Sequence, residues 1–201
     1  MRQDVRLFCG ALGLLAMAAC SLRQPAVVTE DYAFPLPAAP AGAQGGNSIS
    51  VLPFASAPAA SGQMFLYRAD DLRYERDFYN RFLVPPAQAL TGGLRKWLGQ
   101  SDAAEVREPG APLSSDFIVQ PRLTELYADY RDPSRPRAVV SMVMVLIRRD
   151  PSGNRQVFER AYRGEVPMAE VSPASAVDGW SRATAQIFGK FTADFRAETG
   201  V

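Results

Sequence analysis

The nine residues from Val139 to Ile147, VVSMVMVLI, include one polar side chain, Ser141. Alternate residues of an extended strand point to opposite faces, so this run is apolar on both. A sheet buried on one side needs only alternation; a doubly apolar strand belongs inside a sheet with cover on both faces. A helix, another subunit or a partner can supply the second cover. Turn-rich segments bound the run, Arg131-Asp132-Pro133-Ser134-Arg135-Pro136 before it and Asp150-Pro151-Ser152-Gly153-Asn154 after it. Strands over 116–130, 137–149 and 156–166 are therefore expected to form an antiparallel meander.

The other elements are arranged around that meander. Residues 48–54, SISVLPF, alternate as a strand with Pro53 near an edge, and 65–68 is a second short candidate. Residues 72–83 read as a strand that places Leu72, Tyr74, Phe78 and Phe82 on one side, with a helix as the alternative, since Leu72, Tyr79, Phe82 and Leu83 share a helical face. Pro85-Pro86 open a helix to about Leu98, with Leu90, Leu94, Trp97 and Leu98 as its apolar stripe and Gly99 closing it. Gly92-Gly93 in its middle costs about 1 kcal/mol each relative to alanine, and such a pair either permits close approach of another backbone or marks merely a weak helix. Ser172-Pro173 start a last helix of about 25 residues whose stripe is Val177, Trp180, Thr184, Ile187, Phe188, Phe191 and Phe195. The expected fold class is α+β, a mainly antiparallel sheet of about five to six strands with two helices packed on one face.

Catalytic chemistry has little to work with. The chain has no histidine, the commonest general base and metal ligand. No GxSxG motif and no glycine-rich phosphate cradle occurs, so we expect no enzyme, no metal and no cofactor. The acidic residues Asp70, Asp71, Glu75 and Asp77 could form an acid/base or calcium pair, but Arg68, Arg73 and Arg76 interleave them, and a solvated salt-bridge network is the better account. The arginines of the first turn, Arg131, Arg135 and Arg137, with Tyr127 and Tyr130 nearby, are candidates for contact with a partner or with lipid headgroups.

The first twenty residues set the compartment. Arg2 and Arg6 precede an apolar run from Leu7 to Ala19, which ends in small residues. That is the pattern of a secretory signal, and its 13 residues fall short of the roughly 20 that span a bilayer. Met17-Ala18-Ala19-Cys20 resembles the bacterial lipobox, with methionine where leucine is usual. Cleavage between Ala19 and Cys20 would leave Cys20 as the acceptor of a covalent diacylglycerol and an N-acyl chain. Cys9 leaves with the leader, so no internal disulfide can form. The mature chain then has 20 basic and 20 acidic residues, since the leader removes two arginines and one aspartate. That balance argues against nucleic acid as a partner. One acyl chain holds a protein only marginally and several hold it firmly. Ser21 follows the cysteine in place of the aspartate that commonly retains lipoproteins at the inner membrane, which favours the outer membrane.

Three regions are expected: a signal peptide over 1–19, a lipidated Pro/Ala-rich tether over 20–47, and a single periplasmic domain over 48–201. Within the tether, Tyr32-Ala33-Phe34 could pair as a short edge strand, which would shorten the free segment to about 10 residues, with a reach of about 17 Å.

With the elements in that order, the chain resembles the ABC-type transport auxiliary lipoproteins, which include the paraquat-inducible protein C type. The matching features are the lipobox, Tyr32-Ala33-Phe34 after the tether, Ile49 to Phe54, and the block from Tyr67 to Leu98. In that block an Arg-aromatic pair, here Arg81-Phe82, ends a strand and a proline starts the following helix; tryptophan is commoner than phenylalanine in one branch. The resemblance implies a non-catalytic role in envelope lipid transport. The partner it implies is a periplasmic protein with a mammalian-cell-entry (MCE) domain, docked at the outer membrane, with a ring of copies as one arrangement. The doubly apolar strand and Gly92-Gly93 are the expected contact regions. A rival reading is a carrier that holds lipid in a gap lined by Val143, Val145, Phe188 and Phe191; a third is an envelope-assembly lipoprotein without a transport role.

Overall fold

The computed structural model describes residues 28–36, 38–42, 45–108, 110 and 115–200. The leader, the cleavage site at Ala19 and the acceptor Cys20 lie outside the described residues. The strands are β1 (Glu30–Tyr32), β2 (Ser48–Val51), β3 (Ala55–Ser56), β4 (Met64–Arg68), β5 (Tyr74–Phe82), β6 (Glu105–Arg107), β7 (Phe117–Asp129), β8 (Arg137–Asp150) and β9 (Gly153–Pro167). The helices are α1 (Pro86–Gln100) and α2 (Pro173–Thr199), with a short 3-10 turn over Pro58–Ala60.

The meander is present. β7 pairs antiparallel with β8, and β8 with β9, along nearly their whole lengths. Beyond it the sheet departs from expectation. It has nine strands, and of its eight pairings among the described residues five are parallel, so it is mixed and not mainly antiparallel. The physical reason lies in the outer edge of β7. Thirteen residues long, that strand is shared in succession by three short ones: β2 at Phe117–Val119, β3 at Arg122–Leu123 and β4 at Ala128–Asp129. All three run parallel to it. β6 extends the sheet past β2, while β5 and then β1 extend it past β4.

One core lies between this sheet and both helices. From β8 it takes Ala138, Val140, Met142, Met144 and Leu146, from α1 Leu90, Leu94, Trp97 and Leu98, and from α2 Trp180, Ile187, Phe188, Phe191 and Phe195. Trp97 joins the two helices, its ring edge-on to Phe188 and its Nε1–H donating to Thr192 Oγ1 at 3.1 Å. Trp180 anchors α2 to the sheet through Nε1–H to the Tyr127 carbonyl at 2.9 Å. The Ser172 hydroxyl caps α2 by accepting from the Ser175 N–H, and Gly200 ends it in the left-handed conformation at φ 74°. Helix α1 does not stop at Gly99. It runs to Gln100, with Ser101 as its cap and the chain turning at Asp102, φ 55°.

β5 forms as expected, but its side chains do not share one buried face. Phe82 is buried, whereas Leu72, Tyr74 and Phe78 are exposed. Leu72 falls in the turn before β5, and the β4–β5 register shifts between Met64 and Leu66, which interrupts the alternation before Phe82. The Asp77 carboxylate also takes the backbone N–H groups of Tyr79 and Asn80, at 2.8 and 3.0 Å.

Candidate functional site

The three turn arginines sit together at one end of the sheet, around a shallow cleft of about 340 Å³. None presents an unbalanced charge. Arg131 pairs with Asp129 at 2.8 Å and with Asp71 at 2.7 Å, Arg135 with Asp132 at 2.7 Å, and Arg137 with Glu165 at 2.6 Å. The Arg131 guanidinium beside it holds the buried Asp129 carboxyl below the usual carboxylate range, against the opposing effect of burial. The cluster is a set of matched ion pairs tying the turn after β7 to the β4–β5 turn and to β9.

The two helix glycines differ in role. A side chain at Gly93 would overlap the Cδ1 methyl of Leu36, so the close approach takes place within the chain itself. Leu36 follows Phe34, which is buried in the core, and together they lay the segment after β1 across α1. A methyl group placed on Gly92 would meet nothing within 4 Å; this glycine lines an open groove of about 600 Å³ with Pro53, Phe54, Thr91 and Arg95. Thr91 fixes that groove's wall, its Oγ1 accepting from the Phe54 N–H at 2.9 Å and donating to the Ala87 carbonyl at 2.7 Å.

The doubly apolar strand has unequal cover. Its even-numbered residues are buried under the helices. On the other face Val139 is buried by Leu66 and Tyr127, while Val143, Val145 and Ile147 are only half-buried. Charged side chains border this strip: Arg163 pairs with Glu125 and with Glu165, and donates to the Tyr127 hydroxyl at 3.2 Å. A groove of about 430 Å³ beside it is lined by Leu66, Tyr74, Arg76, Glu125 and Tyr127, with the Tyr74 and Tyr127 rings edge-on.

The charged hairpin forms ion pairs as expected, in part. Arg73 reaches Asp70 at 3.2 Å and Glu75 at 3.1 Å, and Arg68 reaches Asp71 at 3.6 Å. Asp77 does other work. It accepts from the Tyr67 hydroxyl and from the Asn80 side-chain amide, both at 2.8 Å, in addition to its two backbone donors. Burial raises its pKa, but these four donors outweigh that and leave it lowered. A carboxylate so fully engaged is a structural acceptor that shapes the irregular strand. Among the described residues no three His, Cys, Asp or Glu side chains are grouped to hold a metal ion.

No family model and no curated protein sequence matches the chain. Solved structures do. A Xanthomonas campestris protein assigned to DUF330 superposes with a TM-score of 0.70 at 18% identity, over 85% of this chain and 96% of that one. The two share a fold. A second structure, of an uncharacterized protein, gives 0.66 at 18% identity over 83% and 98%, and a hypothetical protein from Chlamydia trachomatis gives 0.50 at 12% over 78% and 96%. The shared fold spans nearly the whole of each of those three chains.

The gap expected of a lipid carrier has a different arrangement here. Phe188 and Phe191 are fully buried beneath α2, whereas Val143 and Val145 point out of the opposite sheet face. The four residues do not line a common space. Sequence reasoning missed two features of the surface: the docking of Leu36 over Gly93, and the exposure of Leu72, Phe78 and Tyr79 on the β4–β5 hairpin. The second had a local signal in the charged residues Arg73, Glu75, Arg76 and Asp77 between Leu72 and Phe78.

Proposed function

We propose that this chain is a lipoprotein anchored through Cys20 to the periplasmic face of the outer membrane, where it serves as a non-catalytic auxiliary of an ABC/MCE-type lipid transport system. The observation that carries the anchor is the apolar leader of 13 residues ending at Met17-Ala18-Ala19-Cys20. No helix among the described residues is long and apolar enough to cross a membrane, so lipid on Cys20 would supply the attachment. The transport role rests on the resemblance of the block from Tyr67 to Leu98, whose strand–proline–helix order is the order of β5 and α1. The role is docking, in contact with a periplasmic MCE-domain protein and with no nucleic acid partner. Filled packing around Phe188 and Phe191 favours docking over carriage of a lipid in the domain's own interior. The half-buried strip of Val143, Val145 and Ile147, and the groove beside Gly92, are the surfaces offered to that protein or to further copies of this chain.

Crosslinking in intact envelopes followed by mass spectrometry tests the role. Recovery of an MCE-domain protein joined through residues near β8 or α1 is the expected result. Recovery of peptidoglycan-associated proteins alone would overturn the transport assignment and favour envelope assembly.

A further inference from the structure

The path of the N-terminal segment and a group of exposed apolar side chains, Leu72, Phe78, Tyr79 and Val171, point to the same end of the domain, while Leu83 and Val84 are exposed past the other end of β5. β1 runs parallel to β5, with Glu30 beside Asn80 and Tyr32 beside Phe82. Traced backward from Glu30, the chain therefore heads toward the turn joining β4 to β5. Val28 is 79% exposed, and Cys20 lies eight residues further back. Eight residues span at most about 28 Å when fully extended. Across β5, β4 and β7, Val28 stands about level with Val140, so ten residues of β8, roughly 33 Å at 3.3 Å per residue, still separate it from the β8–β9 turn, and an anchor on Cys20 does not bring a bilayer to that opposite end.

Three turns gather at the end the anchor can reach. The Tyr130 N–H donates to the Arg68 carbonyl at 2.9 Å, Arg131 pairs with Asp71, and the Met168 N–H donates to the Pro136 carbonyl at 2.9 Å. Leu72 stands at the tip of this end, 95% exposed, with Val171 also exposed on the neighbouring turn. Phe78 and Tyr79, 69% and 60% exposed, follow along the edge of β5 that β1 leaves uncovered. The far β8–β9 turn, Asp150 to Gly153, carries no exposed large apolar side chain.

We propose that this end of the domain lies on the phospholipid bilayer, with Leu72 inserted among the acyl chains and Phe78 and Tyr79 at headgroup level. The proposal rests on the lipid anchor at Cys20. Aromatic rings favour the interface between hydrocarbon and water. Arg73, Arg131 and Arg135 around the tip are each matched by an aspartate. Attraction to anionic headgroups is therefore not what seats the surface, and it binds zwitterionic and anionic bilayers alike.

The test uses the mature acylated protein in phosphatidylcholine vesicles, with an environment-sensitive fluorophore on a single added cysteine. Acylation blocks Cys20, so Leu72→Cys, Phe78→Cys and, at the far turn, Ser152→Cys each give one label site. The expected result is blue-shifted emission at 72 and 78, several-fold less quenching by aqueous iodide than at 152, and quenching by nitroxide lipids that 152 lacks. Aqueous emission at both 72 and 78 on an acylated chain overturns the proposal and leaves the anchor intact. Shielding seen in native envelopes but absent from pure lipid vesicles means that a protein covers the patch, and overturns it as well. An intact mass without acyl groups overturns the anchor reading and this proposal together.

Discussion

Alanine at Gly92 and alanine at Gly93 make the same change one residue apart in one helix, and the structure predicts different outcomes. Each replacement removes the backbone-entropy penalty of glycine, a gain of about 1 kcal/mol in a helix interior. At Gly92 the new methyl meets nothing within 4 Å, so the full gain remains. At Gly93 it must displace the end of the Leu36 side chain. Leu36 packs half-buried against the core, and moving its methyl groups into water costs about 0.8 kcal/mol for each. One or two such groups cancel the propensity gain or exceed it. The two variants should therefore differ by about 1–2 kcal/mol, or roughly 4 °C in Tm for a domain of this size. Urea unfolding followed by tryptophan fluorescence reads the difference, since Trp97 lies on the same helix and Trp180 on its neighbour. Equal stabilisation by both substitutions would refute the docking of the N-terminal segment on α1.

Gly164→Ala should destabilise more, by about 1–3 kcal/mol, because its methyl would stand 2.6 Å from the Ala183 carbonyl oxygen and only a shift of α2 relieves it; thermal melting checks this, and an unchanged Tm would contradict the observed packing of α2 on β9. Trp180→Phe leaves the buried Tyr127 carbonyl without its donor and should cost about 1–3 kcal/mol in denaturant unfolding. Asp129, held below its ordinary pKa chiefly by Arg131, contributes stability that is present above the unfolded carboxylate value and lost as pH falls through the lower folded value. Stability measured from pH 6 down to pH 3, the acid side of the carboxylate range, should thus fall more steeply in the natural chain than in Asp129→Asn, and parallel curves would contradict the pairing.

The meander was legible because its signals are local. Turn residues at 131–136 and 150–154 bracket the doubly apolar run, and both helices announce themselves through proline and a stripe. The parallel half of the sheet was not legible. β2, β3 and β4 hold four, two and five residues, and each finds its place on β7 through contacts that no periodicity encodes. Alternation in 72–83 suggested a buried face with Leu72 and Phe78 in it, but Leu72 falls in the turn before β5 and the strand is reorganised around Asp77, next to Phe78. The basic turn was found in the sequence, while its neutralisation was not, since Asp71 and Glu165 reach Arg131 and Arg137 only across the folded sheet. Gly92-Gly93 suggested either close approach of another backbone or merely a weak helix; a side chain, Leu36, crowds Gly93 alone, through a path of the segment before β2 that no local signal encodes.

Acylation of Cys20 is what attachment to a membrane depends on. Intact-mass measurement of the chain purified from envelopes, beside Cys20→Ser, tests it most directly. The natural chain should have lost residues 1–19 and carry the mass of a diacylglyceryl group with an added N-acyl chain, while Cys20→Ser should stay unprocessed at that site and free of lipid. A natural chain that begins elsewhere, or begins at Cys20 without lipid, would contradict the account.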